Sequence, residues 1–333
     1  MSLVEDLLNP EAYPEKVSQI ELIQTHISFV FLTDRLVYKI KKPVNFGFLD
    51  FTTLERRKYY CEQELILNRR LSPEVYIDVI PVVEREGKCW LWGEGRTVDY
   101  AVWMKRLPME RLMKNLLLKG ELREEMLDRV AEKIAVFHNS AEKSPEIEKY
   151  GRIDTIKFNT DENFQQTEKY VGKTISRKQF GELKEYTENF YRNRADVINK
   201  RIKDGRIRDC HGDLHMEHIC ITDEDVIVFD CIEFNERFRY SDTAVDIAFL
   251  AMDLDYYGKR DFSEKLMEFY VKHSGDSGVM DVLTFYKIYR AYVRGKVISF
   301  KIDDPAISEE EKKEAIKTAK RYFELAYSYL DEG

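Results

Sequence analysis

Residues 209–233 read Asp209-Cys210-His211-Gly212-Asp213-Leu214-His215-Met216-Glu217-His218-Ile219-Cys220-Ile221, then a short polar link, then Val226-Ile227-Val228-Phe229-Asp230-Cys231-Ile232-Glu233. This is a polar loop dense in histidine and carboxylate, bracketed by short apolar strands, with a second aspartate at the end of a hairpin. Asp213 is suited to orienting a hydroxyl and accepting its proton. Asp230, at the end of a strand, is suited to a hard divalent cation. Two carboxylates separated by a hairpin meet the needs of phosphoryl transfer from a metal–nucleotide, where catalysis is mostly positioning and charge neutralisation.

The sequence around this island has two characters. Before it, residues 20–23, 27–32 and 36–41 are short β-branched or aromatic runs, the last two joined by the hairpin signal Thr33-Asp34-Arg35. Residues 54–71 are amphipathic without Gly or Pro and read as a helix stopped by Ser72-Pro73. Strands return at 75–83, 88–92 and 97–104, with Glu86-Gly87 as a turn. Beyond Glu110, the stretches 122–141, 178–203, 262–273, 280–301 and 308–330 have helical spacing. Ser308 and Glu311 are placed for a capping box. The expected fold is α+β with two lobes, an antiparallel β-rich lobe over 1–104 and a mainly helical lobe over 105–333.

Composition narrows the function classes. A chain of 333 residues suits two domains at about 100–200 residues each. Lys and Arg total 53 against 61 Asp and Glu, a net charge of −8, so the basic surplus of a general nucleic-acid binder is missing. Five cysteines form no CxxC pair and the start lacks a basic, then apolar, leader, which points to a reducing cytoplasm. No apolar run approaches the ~20 residues of a bilayer span. Oligomeric state is not legible.

HGDLH, a short strand and an apolar run ending in Asp together resemble the aminoglycoside phosphotransferase and choline kinase-like superfamily, whose motif is H-G-D-x-x-x-x-N followed by I-D. Asp242-Thr243-Ala244-Val245-Asp246-Ile247-Ala248 resembles its D-x-A-x-D-I/L-A segment, and residues 130–138 (VAEKIAVFH) a helix ending in Phe-His. Together with VYKIKKPVNFGFLDF and FDCIEFNERFRY, the pattern is most similar to a bacterial and archaeal branch of uncharacterised phosphotransferases. The resemblance implies a protein kinase-like fold and an ATP-dependent kinase using Mg²⁺ or Mn²⁺, with a nucleotide and a small hydroxyl acceptor (a sugar, amino-sugar or amino-alcohol) as its partners. It implies Asp213 as the catalytic residue and Asp230 as metal ligand. Lys39 matches the strand lysine for nucleotide phosphates, with Lys41 on the same face as a competitor. Glu64, or failing it Glu62, matches the helical partner of that lysine. Ala101, Val102, Trp103 and Met104 occupy the hinge position against adenine.

Two departures stand out. The family's metal-binding Asn is His218 here, which either ligates metal through imidazole nitrogen or hydrogen-bonds Asp213. The turn Gln24-Thr25-His26-Ile27-Ser28 has no glycine, which disfavours a protein kinase. A non-catalytic nucleotide-binding scaffold stays open. Zinc binding by His211, His215 and His218 with Cys210 and Cys220 half-meets the spacing rules. Gly172-Lys173-Thr174 lacks the earlier glycine and strand of a P-loop.

Overall fold

A computed structural model describes residues 3–332. The chain divides into two compact units, Met1–Lys119 with Glu217–Glu236, and Gly120–Met216 with Arg237–Gly333. The fold class is α+β, as expected: the first unit is built on an antiparallel sheet and the second on helices.

The first unit carries strands β1 (Glu21–Gln24), β2 (Ser28–Leu32), β3 (Leu36–Lys41), β4 (Tyr76–Arg85), β5 (Lys88–Leu91) and β6 (Arg96–Lys105) in the order β1-β2-β3-β6-β4-β5. Alternation sorts their side chains between two faces. One face buries Phe31, Tyr38, Ile40, Ile80, Val82 and Ala101 against Leu7, Ala12, Tyr13 and Val17. The other buries Leu32, Val37, Val102 and Met104 against Cys61 and Leu65 of the helix Leu54–Asn68. That helix starts at Thr53, whose hydroxyl accepts the Arg56 N–H. The glycine-free turn between β1 and β2 closes through Thr25, whose Oγ1 accepts the N–H of Ser28 at 2.9 Å, a side-chain substitute for glycine's freedom.

Residues 105–119, expected with the helical lobe, cluster with the sheet. The cause is the hairpin of β8 (Ile219–Ile221) and β9 (Val226–Val228), separated in the chain from the earlier β7 (Ile207–Asp209). Leu112 bridges Cys220, and Arg111 Nε donates to the Ile221 carbonyl at 2.7 Å. Ser72 replaces a strand partner for β9, its hydroxyl donating to the Val228 carbonyl at 2.9 Å and accepting the Val228 N–H at 3.1 Å.

The second unit holds the long helices Glu124–Ser140, Ile153–Thr167, Arg177–Asn193, Thr243–Tyr256, Arg260–Ser274, Leu283–Phe300 and Glu309–Ser328, with β7 paired to β10 (Tyr240–Asp242). The Ser308–Glu311 capping box is present. The stretch 178–203 is two helices, because Arg194 leaves helical geometry at φ −125° without any Gly or Pro to announce it. Thr243–Tyr256 is buried continuously from Thr243 to Leu254 and so lacks the amphipathic period that marks a surface helix. Gly172-Lys173-Thr174 forms a tight turn, the Gly172 N–H donating to the Ile175 carbonyl at 2.7 Å. Among the described residues no helix is long and apolar enough to cross a membrane, and all five cysteines are free.

Candidate active site

Strand pairing and one helix face assemble the first group of charges. In β3, Lys39 and Lys41 point to the face covered by the helix Leu54–Asn68, where Glu64 is fully buried. The Glu64 carboxylate serves both lysines, Oε1 lying 2.9 Å from Lys39 Nζ and Oε2 2.7 Å from Lys41 Nζ. Glu62 lies on the solvent side and pairs at 3.8 Å with exposed Lys58, so the helix does not bring it to this group. Lys39 reaches Asp230 Oδ1 at 2.6 Å, and His218 Nε2 lies 3.5 Å from Asp230 Oδ2. Lys41 is closed in by Glu64, Glu233 and the Phe51 ring.

Burial alone would lower the Lys39 pKa. The carboxylates of Asp230, Glu64 and Glu233 outweigh it and hold the ammonium well above its ordinary pKa. Burial would likewise push Glu64 up, but Lys39 and Lys41 bring it below the ordinary carboxylate value. Glu233 moves the other way: burial raises its pKa, with Lys41 and Lys39 opposing the rise.

Asp230 sits in the left-handed region at φ 63°, which Asp and Asn tolerate better than other side-chain-bearing residues. The conformation is over-determined by its neighbours. The Asp230 N–H donates to Tyr76 Oη at 3.1 Å, and the Cys231 N–H donates to Asn68 Oδ1 at 2.8 Å. Asn68 Nδ2 in turn donates to the Glu64 carbonyl at 2.8 Å, so one amide ties the Asp230 segment to the helix carrying Glu64. A strained backbone so held is a common mark of a functional position. Asn68 and Tyr76 were not legible as site residues, because asparagine and tyrosine carry no motif at these positions.

The expected hinge differs in its backbone. Ala101, Val102, Trp103 and Met104 lie in β6, between β3 and β4, with Val102 opposite both Lys39 and Val79. A strand paired on both edges has its peptide groups spent in the ladder, leaving none for a base. Val102 and Met104 share the face of Lys39, whereas Ala101 and Trp103 point to the other face. The ladder runs out where Lys105 and Arg106 donate to the carbonyls of Val75 (2.9 Å) and Arg35 (2.8 Å). Leu107 is the next residue with a backbone donor.

The second unit builds a loop around Asp213. Asp246 accepts the N–H of His211 at 2.7 Å and of Gly212 at 2.9 Å, and lies 3.4 Å from His138 Nε2. Arg290 Nη2 donates to the Gly212 carbonyl at 2.8 Å, and Asp253 accepts the Met216 N–H at 3.0 Å. His211 Nδ1 accepts the Asp213 N–H at 3.2 Å, which makes it a backbone support within the loop. Asp213, its side chain 36% exposed, has His215 Nε2 at 3.5 Å. The loop is therefore gripped through its backbone while the Asp213 carboxylate stays accessible.

Burial acts to raise the Asp246 pKa, but the hydrogen bond and charge of His138, with His211 and Arg290, lower it from 3.8 to about 2. A carboxylate depressed in the folded state stabilises above its unfolded pKa and loses that contribution as pH falls towards the folded one. The contribution is about 2 kcal/mol, expected to vanish between about pH 4 and pH 2. Asp246→Asn should lower unfolding free energy by about 3 kcal/mol at pH 7 and flatten its acid dependence in that window. Denaturant melts across pH check this; an unchanged acid slope counts against it.

Solved structures share this fold. Choline kinase from Cryptosporidium parvum is 12% identical, with a TM-score of 0.57 over 99% of this chain and 96% of that one. A GDP complex of aminoglycoside 2′-phosphotransferase-IIIa is 13% identical, with a TM-score of 0.54 over 97% of each chain. A microcompartment-associated aminopropanol kinase is 13% identical, with a TM-score of 0.52 over 99% and 97%. By sequence, uncharacterized proteins of Mycobacterium bovis and Mycobacterium tuberculosis are 30% identical over 314 residues, which is 94% of this chain. The chain spans about 60% of the length of these relatives. Residues 55–286, which include Glu64, the loop around Asp213 and the Asp230 segment, match the phosphotransferase enzyme family model, and the chain belongs to that family.

Proposed function

We propose that the chain is a small-molecule kinase that moves the γ-phosphoryl group of ATP to a hydroxyl acceptor. The observation that carries this reading is the buried chain Asp230–Lys39–Glu64, in which an ammonium is presented on a β-strand by a helical glutamate and set beside a half-exposed carboxylate. Lys39 holds nucleotide phosphates, since Lys41 is enclosed and Lys39 keeps an exposed edge. Met104 offers apolar surface to the base with fully buried Val102 packed behind it, and the Leu107 N–H, past the end of the ladder, is the proposed backbone contact. Ala101 and Trp103 support that strand from the opposite face.

The donors fit a hard divalent cation such as Mg²⁺. Asp230 is a half-exposed carboxylate, a hard oxygen ligand whose two oxygens face Lys39 and His218. Asp230 would hold the ion, with His218 as its neighbour. Such an ion neutralises charge on the β- and γ-phosphates. Asp213 orients the acceptor hydroxyl and takes its proton late, which an ordinary carboxylate manages because a loose transition state needs little basicity.

His218 lies against Asp230. Direct ligation by its imidazole predicts that His218→Asn shifts the Mn²⁺/Mg²⁺ preference towards Mg²⁺ by about tenfold. Metal titration of nucleotide-bound protein measures the ratio, and an unchanged ratio removes His218 from the ligand set.

A cationic acceptor would need unspent acidic groups. Among Glu233, Glu236, Asp253 and Asp255, Glu233 pairs with Lys41, Asp255 with Lys287 at 2.8 Å and Tyr329 at 2.5 Å, and Asp253 accepts the Met216 N–H. Only Glu236 is plainly exposed. These acids do not narrow the acceptor, and the proposal stays at a hydroxyl compound, whether sugar, amino-sugar or amino-alcohol. An ADP-release screen over those classes, with Mg²⁺ and Mn²⁺, tests the function. Acceptor-dependent release is the expected result; nucleotide binding with no release from any class favours the scaffold reading instead.

A further inference from the structure

We infer that Lys41 and Glu233 form a positioning pair for the nucleotide lysine, holding one oxygen of Glu64 so that the other remains for Lys39. The inference rests on the kinase reading above. Five charges alternate in sign along Asp230, Lys39, Glu64, Lys41 and Glu233, and each inner one lies between two of opposite sign. Lys41 is 1% exposed and Glu64 is fully buried, so neither can touch a ligand.

A carboxylate that served Lys39 alone would be free to turn about its last bond and offer either oxygen. Lys41 at 2.7 Å from Oε2 fixes that plane and leaves Oε1 facing Lys39 at 2.9 Å. Lys41 without a counter-charge would draw Glu64 away from Lys39, because a buried ammonium demands full compensation. Glu233 supplies it, and the Phe51 ring 4.9 Å from Lys41 Nζ closes the remaining side. Both ends of the charge chain stand on one segment, three residues apart. Asn68 bonds that segment to the backbone of Glu64. When phosphate replaces Asp230 as the partner of Lys39, Glu64 can stay where it is, because its second oxygen does not depend on that exchange.

Calorimetric titration of the full chain with ADP and Mg²⁺, and separately with adenosine, tests this. Glu233→Leu is expected to weaken ADP about tenfold and adenosine less than twofold, since only the phosphate contact passes through Lys39. Glu233→Gln, which keeps an oxygen for Lys41, should recover most of the loss. A merely structural role would lower the melting temperature and move both ligands together or neither. Should Glu233→Leu fail to fold, the double variant K41M/E233L removes both buried charges, a change usually tolerated, and carries the same expectation. ADP affinity within twofold of wild type, or an equal loss for adenosine, overturns the inference. A wild-type chain that binds neither ligand overturns the kinase reading itself.

Discussion

Asp213→Asn is expected to bind nucleotide with wild-type affinity and to lose about 10³-fold in turnover, the middle of the range for removing a positioned proton acceptor. The amide keeps the size of the side chain and one hydrogen-bonding oxygen but cannot take a proton. The loop should survive the change, because it is held by Asp246, Arg290 and Asp253 through backbone groups and not by the Asp213 carboxylate. Steady-state ADP release with any active acceptor, beside a nucleotide titration, measures both quantities. Turnover within tenfold of wild type would remove Asp213 from the reaction. Equal losses of binding and turnover would recast it as a structural residue.

Asp230→Asn should weaken metal–nucleotide binding about 100-fold while leaving metal-free nucleotide within a few-fold, the size expected when a charged ligand to a cation is lost. The substitution is chosen for its backbone: Asn tolerates φ 63° nearly as well as Asp, whereas Ala would add strain and confuse the result. The hydrogen bond from residue 230 N–H to Tyr76 is retained. Lys39 loses a partner at 2.6 Å and keeps Glu64, so metal-free nucleotide, which needs only the lysine, remains bound. Paired titrations with and without Mg²⁺ read the difference. Loss of both in equal measure would assign Asp230 to holding Lys39 and leave the cation without a protein oxygen.

Much of the first unit was legible locally. The strand β3 keeps its expected bounds, and the period of two places Lys39 and Lys41 on one face, a fact independent of any partner. Glu64 shares its helix face with buried Leu67 and lies within a turn of Cys61 and Leu65, so its inward direction was readable as well. The backbone pairing of the hinge segment was not legible, because a strand's sequence does not say how many neighbours it has. Ala101, Val102, Trp103 and Met104 look the same at an edge as between β3 and β6's other neighbour β4, and only the centre position spends their peptide groups. The helix Thr243–Tyr256 shows no amphipathic period for a related reason: it is buried on every side from Thr243 to Leu254, and its aspartates are turned to internal partners, so no solvent-facing stripe marks it.

Taken by itself, the sequence determined the order of chemistry along the chain: a lysine on a strand, a glutamate on a helix, a loop with Asp213, a strand ending at Asp230. Those are local properties, set by alternation, helical period and motif spacing. Tertiary structure alone decided which lysine is open and which enclosed, that Glu64 divides its two oxygens between them, and that Glu233 completes the charge. Lys39 and Asp230 are 191 residues apart, and Lys41 and Glu233 192. Pairing at that separation is a matter of which buried charges the packed core leaves within reach of one another, and no local pattern records it.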